Sequence, residues 1–175
     1  MMHFFRAALC LSLALVAGCS SYNQRFAYSA RSDVKHLVHE GAYAGRWTSA
    51  VNSAWGGDLR CILTKLENPG CGRGDHAAYR ADFHAKWHGL SSKHSVVLQT
   101  KPAARKKTGG ALDFEGTSAL HTIIGAGTYS CKGTMDNRAM RACYDATYDK
   151  GTFEMTRVTA KTAKPGGRCR AIASK

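Results

Sequence analysis

The clearest pattern in this chain is an alternation of period two. Tyr79, Ala81, Phe83, Ala85 and Trp87 interleave with Arg80, Asp82, His84, Lys86 and His88. Successive side chains of an extended chain point to opposite faces, so this stretch predicts a strand with one dry and one wet face. Comparable stretches run from Ala42 to Val51, Gly57 to Leu66, Ala77 to His88 and His94 to Thr100. Four more run from Ala111 to Thr117, Gly127 to Met135, Ala139 to Tyr148 and Thr152 to Thr159. Turn-rich pieces such as "NPGCGRGD", "KPAARKKTGG", "MDNR" and "DKG" separate them. Short connections make neighbouring strands antiparallel, and an open sheet of eight short strands would expose two unpaired edges. The expected fold is therefore all-β, an eight-stranded antiparallel up-and-down barrel over residues 42–159.

Projected inward, the alternation gathers Tyr43, Trp47, Leu59, Leu63, Phe83, Trp87, Leu98, Leu112, Phe114, Tyr129, Tyr144, Phe153 and Met155 on one face. An eight-stranded barrel is just wide enough to be filled by side chains or to hold one small ligand. The many rings favour a filled interior. If a pocket exists, "SALHTIIGAG" is its expected mouth, with His121, Ile123 and Ile124 as mouth residues.

The first residues have a different character. Arg6 precedes an apolar run from Ala7 to Ala17. That run is shorter than the roughly 20 residues a membrane-spanning helix needs, and its order of charge, apolar middle and small-residue end fits a secretory signal. Val16-Ala17-Gly18-Cys19 resembles the lipobox of bacterial lipoproteins. The resemblance implies a signal peptide over 1–18 and acylation of Cys19, with more than one acyl chain giving stable membrane attachment. Ser20, where an aspartate would resemble an inner-membrane retention signal, implies the outer membrane, with the domain facing the periplasm. Residues 19–41 then read as a lipidated tether. Ser32 and Asp33 cap a short helix in it that carries Val34, Leu37 and Val38 and ends at Gly41. Residues 160–175 read as a basic tail.

Charge narrows the partners. Lysine and arginine number 25 against 12 acidic residues among the 175. Loss of Arg6 with the leader leaves 24 against 12, a net of +12. Such a surface favours polyanions. For an exported, tethered chain these are anionic envelope polymers rather than nucleic acid, and a small apolar ligand is the other candidate partner. The sequence leaves the oligomeric state open.

Of seven cysteines, Cys10 leaves with the leader and Cys19 takes lipid, leaving Cys61, Cys71, Cys131, Cys143 and Cys169. An exported chain permits disulfides, and the odd number leaves one thiol over or pairs it between molecules. Two registers compete at the "MDNR" hairpin. A three-residue loop, Asp136 to Arg138, sets Cys131 opposite Cys143. A four-residue loop to Ala139 pairs Met135 with Met140 and Cys131 with Tyr144, keeps one face apolar, and sends Cys143 toward Cys169 or another partner. The second register fits the pattern better.

No cofactor or metal motif appears. No CxxC pair occurs, and "HLVHE" lacks the zincin spacing. His84 and His88 lie on one strand face about 13 Å apart, too far to share an ion. No phosphate loop or nucleophile elbow is present either, so a non-enzymatic role is expected.

Gly45, Trp47 and the late Arg157 resemble the structural signature of the calycin superfamily, which includes lipocalins, fatty-acid-binding proteins and avidins. The resemblance implies that Trp47 closes one barrel end with Arg157 over its ring. "YAGRW", "ADFHAKW" and "GTFEMTR" also resemble segments of small exported bacterial proteins that bring no known activity. "YSCKG" faintly resembles lipid-anchored lysozyme inhibitors, which makes such an inhibitor an alternative. An envelope enzyme is the other.

Overall fold

The computed structural model describes residues 21–31, 39–67, 77–102, 110–122 and 125–159. Eight strands follow in order: β1 (Gly41–Ser49), β2 (Gly56–Lys65), β3 (Ala78–Trp87), β4 (Leu90–Pro102), β5 (Leu112–Thr122), β6 (Gly125–Met135), β7 (Ala139–Ala146) and β8 (Asp149–Arg157). Each pairs antiparallel with the next, and β8 returns to β1, so the sheet closes in simple sequential order. Closure gives every strand a neighbour on both sides, although the β4–β5 ladder runs only from Leu98 opposite Gly116 to Pro102 opposite Leu112, so that seam opens toward the β5–β6 turn. The expected up-and-down barrel is the observed one.

Three hairpins are tighter than the sequence suggests. Trp87 pairs with Leu90 across a two-residue turn in which His88 and Gly89 have φ of 44° and 81°. Two positive φ angles match the right-handed twist of the flanking strands, so β4 begins at Leu90 rather than at the expected His94. Thr122 likewise pairs with Gly125, and Ala146 with Asp149. Most of the expected mouth loop is therefore strand. His121 lies in β5, and Ile123 and Ile124 lie outside the described residues. This end of the barrel, where β3–β4, β5–β6 and β7–β8 turn, is called here the hairpin end. The other, where β1 enters, is the entry end.

The Met135 hairpin takes the four-residue loop. Met135 pairs with Met140, Gly133 with Ala142, Cys131 with Tyr144 and Tyr129 with Ala146. Asp136 holds the loop by accepting the backbone N–H groups of Arg138 and Ala139 at 2.7 and 2.8 Å. Cys131 consequently points inward and Cys143 outward.

The inward side chains fill the centre. Tyr43, Phe83, Phe114, Leu63, Leu98 and Met155 are fully buried, and Tyr79, Val96, Met135 and Met140 complete the core around them. Burial of each large side chain is worth about 1.5–3 kcal/mol. At Gly45, on the β1–β8 seam, a Cβ would collide with the carbonyl oxygen of Glu154.

A helix over residues 21–31 (α1) stands where the sequence reading expects a polar tether. Tyr22, Phe26 and Ala30 recur at helical spacing and form its inner face, with Tyr22 and Ala30 buried. This face covers the outer wall of β2 and β3. Asp82 and His84, expected on the wet face, are only 6% and 5% exposed beneath it. Alternation within a strand reports two faces; it carries no record of a third layer laid over one of them. The expected helix from Ser32 to Gly41 falls mostly on residues outside those described, as do the leader 1–18, Cys19, Cys71, Cys169 and the tail 160–175.

Candidate functional site

At the entry end the barrel is plugged by Tyr43. Its hydroxyl donates to the carbonyl of His39 at 2.7 Å, and burial pushes its pKa up to about 12 despite the opposing charge of Arg157. Arg157 lies opposite Tyr43 across the β1–β8 seam, with its guanidinium carbon 5.9 Å from the ring centroid. It also donates to the carbonyls of Glu40 and, at 3.3 Å, Asn137. Trp47 lies four residues further along β1 and pairs with Phe153 at the other end of the seam. Gly45, Trp47 and Arg157 are therefore on the two strands that the calycin resemblance implies, but the cation covers a tyrosine. The spacing between Trp47 and Arg157 in the ladder sets this: four residues of strand span about 13 Å.

The hairpin end is an aromatic cup. Trp47 meets Trp87 and Tyr144 edge-on, with ring centroids 6.2 and 6.3 Å apart. Tyr144 stacks on Tyr129, which lies 4.5 Å from His94, and His94 stacks on Phe83. Asp149 fixes the rim by accepting the hydroxyls of Tyr144 and Ser49 at 2.6 and 2.5 Å. Burial pushes the Tyr144 hydroxyl upward, and its bond to Asp149 adds to the shift. Burial also lowers His94 to about 4. The buried nitrogens Trp47 Nε1 and His94 Nε2 have no hydrogen-bond partner. Sequence reasoning missed His94 as an interior group. The signal that could have found it is the alternation itself: His94 stands four residues before the inward Leu98 in the expected strand His94–Thr100, and so on the same face.

The outer wall under and beside α1 is cationic. The register places Arg60, His84 and Lys93 side by side on β2, β3 and β4. The Arg60 guanidinium lies 5.3 Å from the Phe26 ring and Lys93 Nζ lies 6.0 Å from the Tyr22 ring, so α1 holds both cations by their attraction to aromatic faces. His84 meets Tyr22 edge-on at 5.0 Å with both ring nitrogens unpartnered. Burial lowers its pKa, and Lys93, Lys86 and Arg60 lower it further. Asp82 anchors the helix. Its carboxylate accepts Arg25 at 2.5 Å, Ser95 at 2.6 Å and Arg80 at 2.9 Å. Burial alone would raise this carboxyl, but the donors Ser95, Arg25 and Arg80 outweigh it and hold the pKa below the usual carboxylate range.

The three cysteines among the described residues are free thiols: Cys61 and Cys131 are buried inward, and Cys143 is exposed on the wall. The expectation of disulfides therefore finds no pair among the described residues. Cys131 and Cys143 alternate faces of adjacent strands, and the partner expected for Cys143, Cys169, lies outside those residues. Burial pushes Cys61 well above its ordinary pKa and Cys131 to about 11. Among the described residues no group of three histidine, cysteine or acidic side chains is placed to hold a metal ion, and no helix is long and apolar enough to cross a membrane. A scan against protein-family models, a search of curated proteins and a search of solved structures each return no match.

Proposed function

We propose that this chain is an outer-membrane lipoprotein, held by acyl chains on Cys19 and facing the periplasm, whose small calycin-like barrel is a binding module rather than an enzyme. Its ligands are anionic envelope polymers. The observation that carries this reading is the row Arg60–His84–Lys93 beside α1, with Lys86 two residues along β3. Two of these cations are already positioned on aromatic rings, so little side-chain freedom is lost when an anion meets them. The filled barrel centre agrees with a ligand that stays outside. The net charge of +12 after loss of Arg6 adds long-range attraction.

The test is co-sedimentation of the purified chain with peptidoglycan sacculi and with lipopolysaccharide at low and raised salt. Binding that disappears at raised salt, and that weakens in Arg60→Gln/Lys86→Gln/Lys93→Gln, is the expected result. Binding indifferent to salt, or no binding to either polymer, overturns it.

A second reading rests on the cup at the hairpin end. Trp47, Trp87 and Tyr144 offer apolar faces, and Trp47 Nε1 offers a donor without a partner. A small apolar ligand with one acceptor atom fits that chemistry. Quenching of Trp47 fluorescence by such ligands, lost in Tyr144→Ala, is the corresponding assay.

A further inference from the structure

Six large apolar side chains are exposed among the described residues, and four of them crown one end of the barrel. Val51 and Trp55, 61% and 44% exposed, lie on the β1–β2 loop; Leu90, 50% exposed, opens β4; Tyr148, 46% exposed, sits in the β7–β8 turn. All three connections are at the hairpin end. Apolar tips on three separate connections form one rim, which is not the scattered exposure of an ordinary surface.

The longest of these loops is held rigidly in its exposed form. Ser49 Oγ accepts the N–H groups of Val51 and Asn52 at 3.0 Å, and Asn52 Oδ1 accepts that of Ala54 at 3.0 Å. Trp55 donates its N–H to the Asn52 carbonyl at 2.9 Å and accepts from Ser49 N–H at 3.1 Å. With its backbone satisfied in this way, the loop presents Val51 and Trp55 outward at no further ordering cost.

The position of the chain's start selects the partner. Tyr22, in the first turn of α1, touches His84 and Lys93. From His84 only three residues of β3 remain to Trp87 at the hairpin end, about 10 Å. Cys19 precedes Ser21 by two residues, so its Cα lies within about 7 Å of that of α1's first residue by chain length alone. Acyl chains on that residue are long enough to cover the few ångströms that remain to the rim.

Building on the acylation of Cys19 proposed above, we infer that the hairpin-end rim is a membrane-contact surface: Val51, Trp55, Leu90 and Tyr148 enter the headgroup layer of the leaflet that holds the acyl chains. Tryptophan and tyrosine suit that depth because each has an apolar body and a polar edge. In the sheet register Arg46 lies opposite Asp58 and Lys150 opposite Asp145, while Lys86, one residue before Trp87, lies opposite Ser91. The four rim side chains carry no charge, so their contact with a zwitterionic lipid surface is apolar in character and insensitive to salt, unlike polymer binding by the wall.

The test uses the full chain, exported with its own leader and purified in detergent. Mass spectrometry of its amino terminus reads acylation separately from rim contact. In phosphatidylcholine vesicles containing bromine-labelled lipid, quenching of tryptophan emission is expected, unchanged by salt. Trp55→Phe should remove more than half of it, and Val51→Ser/Leu90→Ser/Tyr148→Ser should reduce quenching of the remaining Trp55. An acylated chain whose emission is not quenched, or whose quenching survives Trp55→Phe, overturns the rim and leaves the anchor standing. An unacylated chain overturns the anchor. Added to the same vesicles, it then supports the rim if Trp55 is quenched and overturns it if not.

Discussion

Arg157 and Tyr43 face each other across the seam that closes the barrel, the cation 5.9 Å from the ring centroid and its guanidinium donating to the backbone on either side. This one side chain ties the last strand to the carbonyls of Glu40, before β1, and Asn137, between β6 and β7. Arg157→Ala removes the cation–ring attraction and both hydrogen bonds. It should destabilise the fold by about 2 kcal/mol, with Arg157→Lys retaining part of that. Urea unfolding checks this: the midpoint should fall while the slope with denaturant stays constant.

Asp82 supplies a prediction with a sign in pH. Its pKa is depressed in the folded chain, so its contribution is fully present above the unfolded value and is lost as pH falls through the folded one. The wild-type unfolding midpoint should therefore fall as the solution is acidified below about pH 4, the unfolded aspartate value. Asp82→Asn should be less stable at neutral pH and flatter over that acid range. It should also expose α1, seen as faster amide exchange in residues 21–31, because the Arg25 contact is lost.

The buried histidines act in a higher window. His94 is lowered to about 4, so between that value and about 6.5 the unfolded chain binds a proton that the native chain refuses. Stability therefore falls as pH drops through this window, by up to about 3 kcal/mol from His94 alone. His84 and His39, also lowered mainly by burial, act in the same direction. His94→Phe should flatten the loss between pH 6.5 and 4, measured by thermal unfolding at several pH values.

Thiol accessibility reports the barrel register directly. In the reduced native chain Cys143 should be alkylated by a maleimide, while Cys61 and Cys131 should react only after unfolding. Peptide mass mapping separates the three. Equal reaction of Cys131 and Cys143 in the native state would contradict the four-residue hairpin loop.

Much of the barrel was legible because a half-buried strand writes its own pattern. The Tyr79-to-Trp87 alternation and the Met135–Met140 pairing both keep one face apolar, and both are found. What escaped depends on contacts that no single segment encodes. Asp82 and His84 look solvated until α1 is laid over them, and Tyr22 and Phe26 look like scattered rings in a polar stretch until the helix spaces them onto one side. Arg157 carried the signature of a tryptophan partner, yet the ladder delivers it to Tyr43. The cup was half legible: Trp47, Trp87, Tyr129 and Tyr144 were expected inside, and His94 shares the face of the inward Leu98 but was not read as interior because a histidine at a strand's start has solvent as its default, whereas the Asp149 clasp needed the register of the β7–β8 hairpin.

The seated helix has a mechanical consequence. Eleven residues laid along the wall are eleven residues withheld from the leash. Extended, they would give the barrel about 35 Å of extra reach. With Cys19 acylated and α1 in place, the barrel is a fixture with one orientation, and whatever it grips must come to it. Severing Arg25 from Asp82 and Tyr22 from its seat on His84 and Lys93 would turn the same molecule into a float on a long cord.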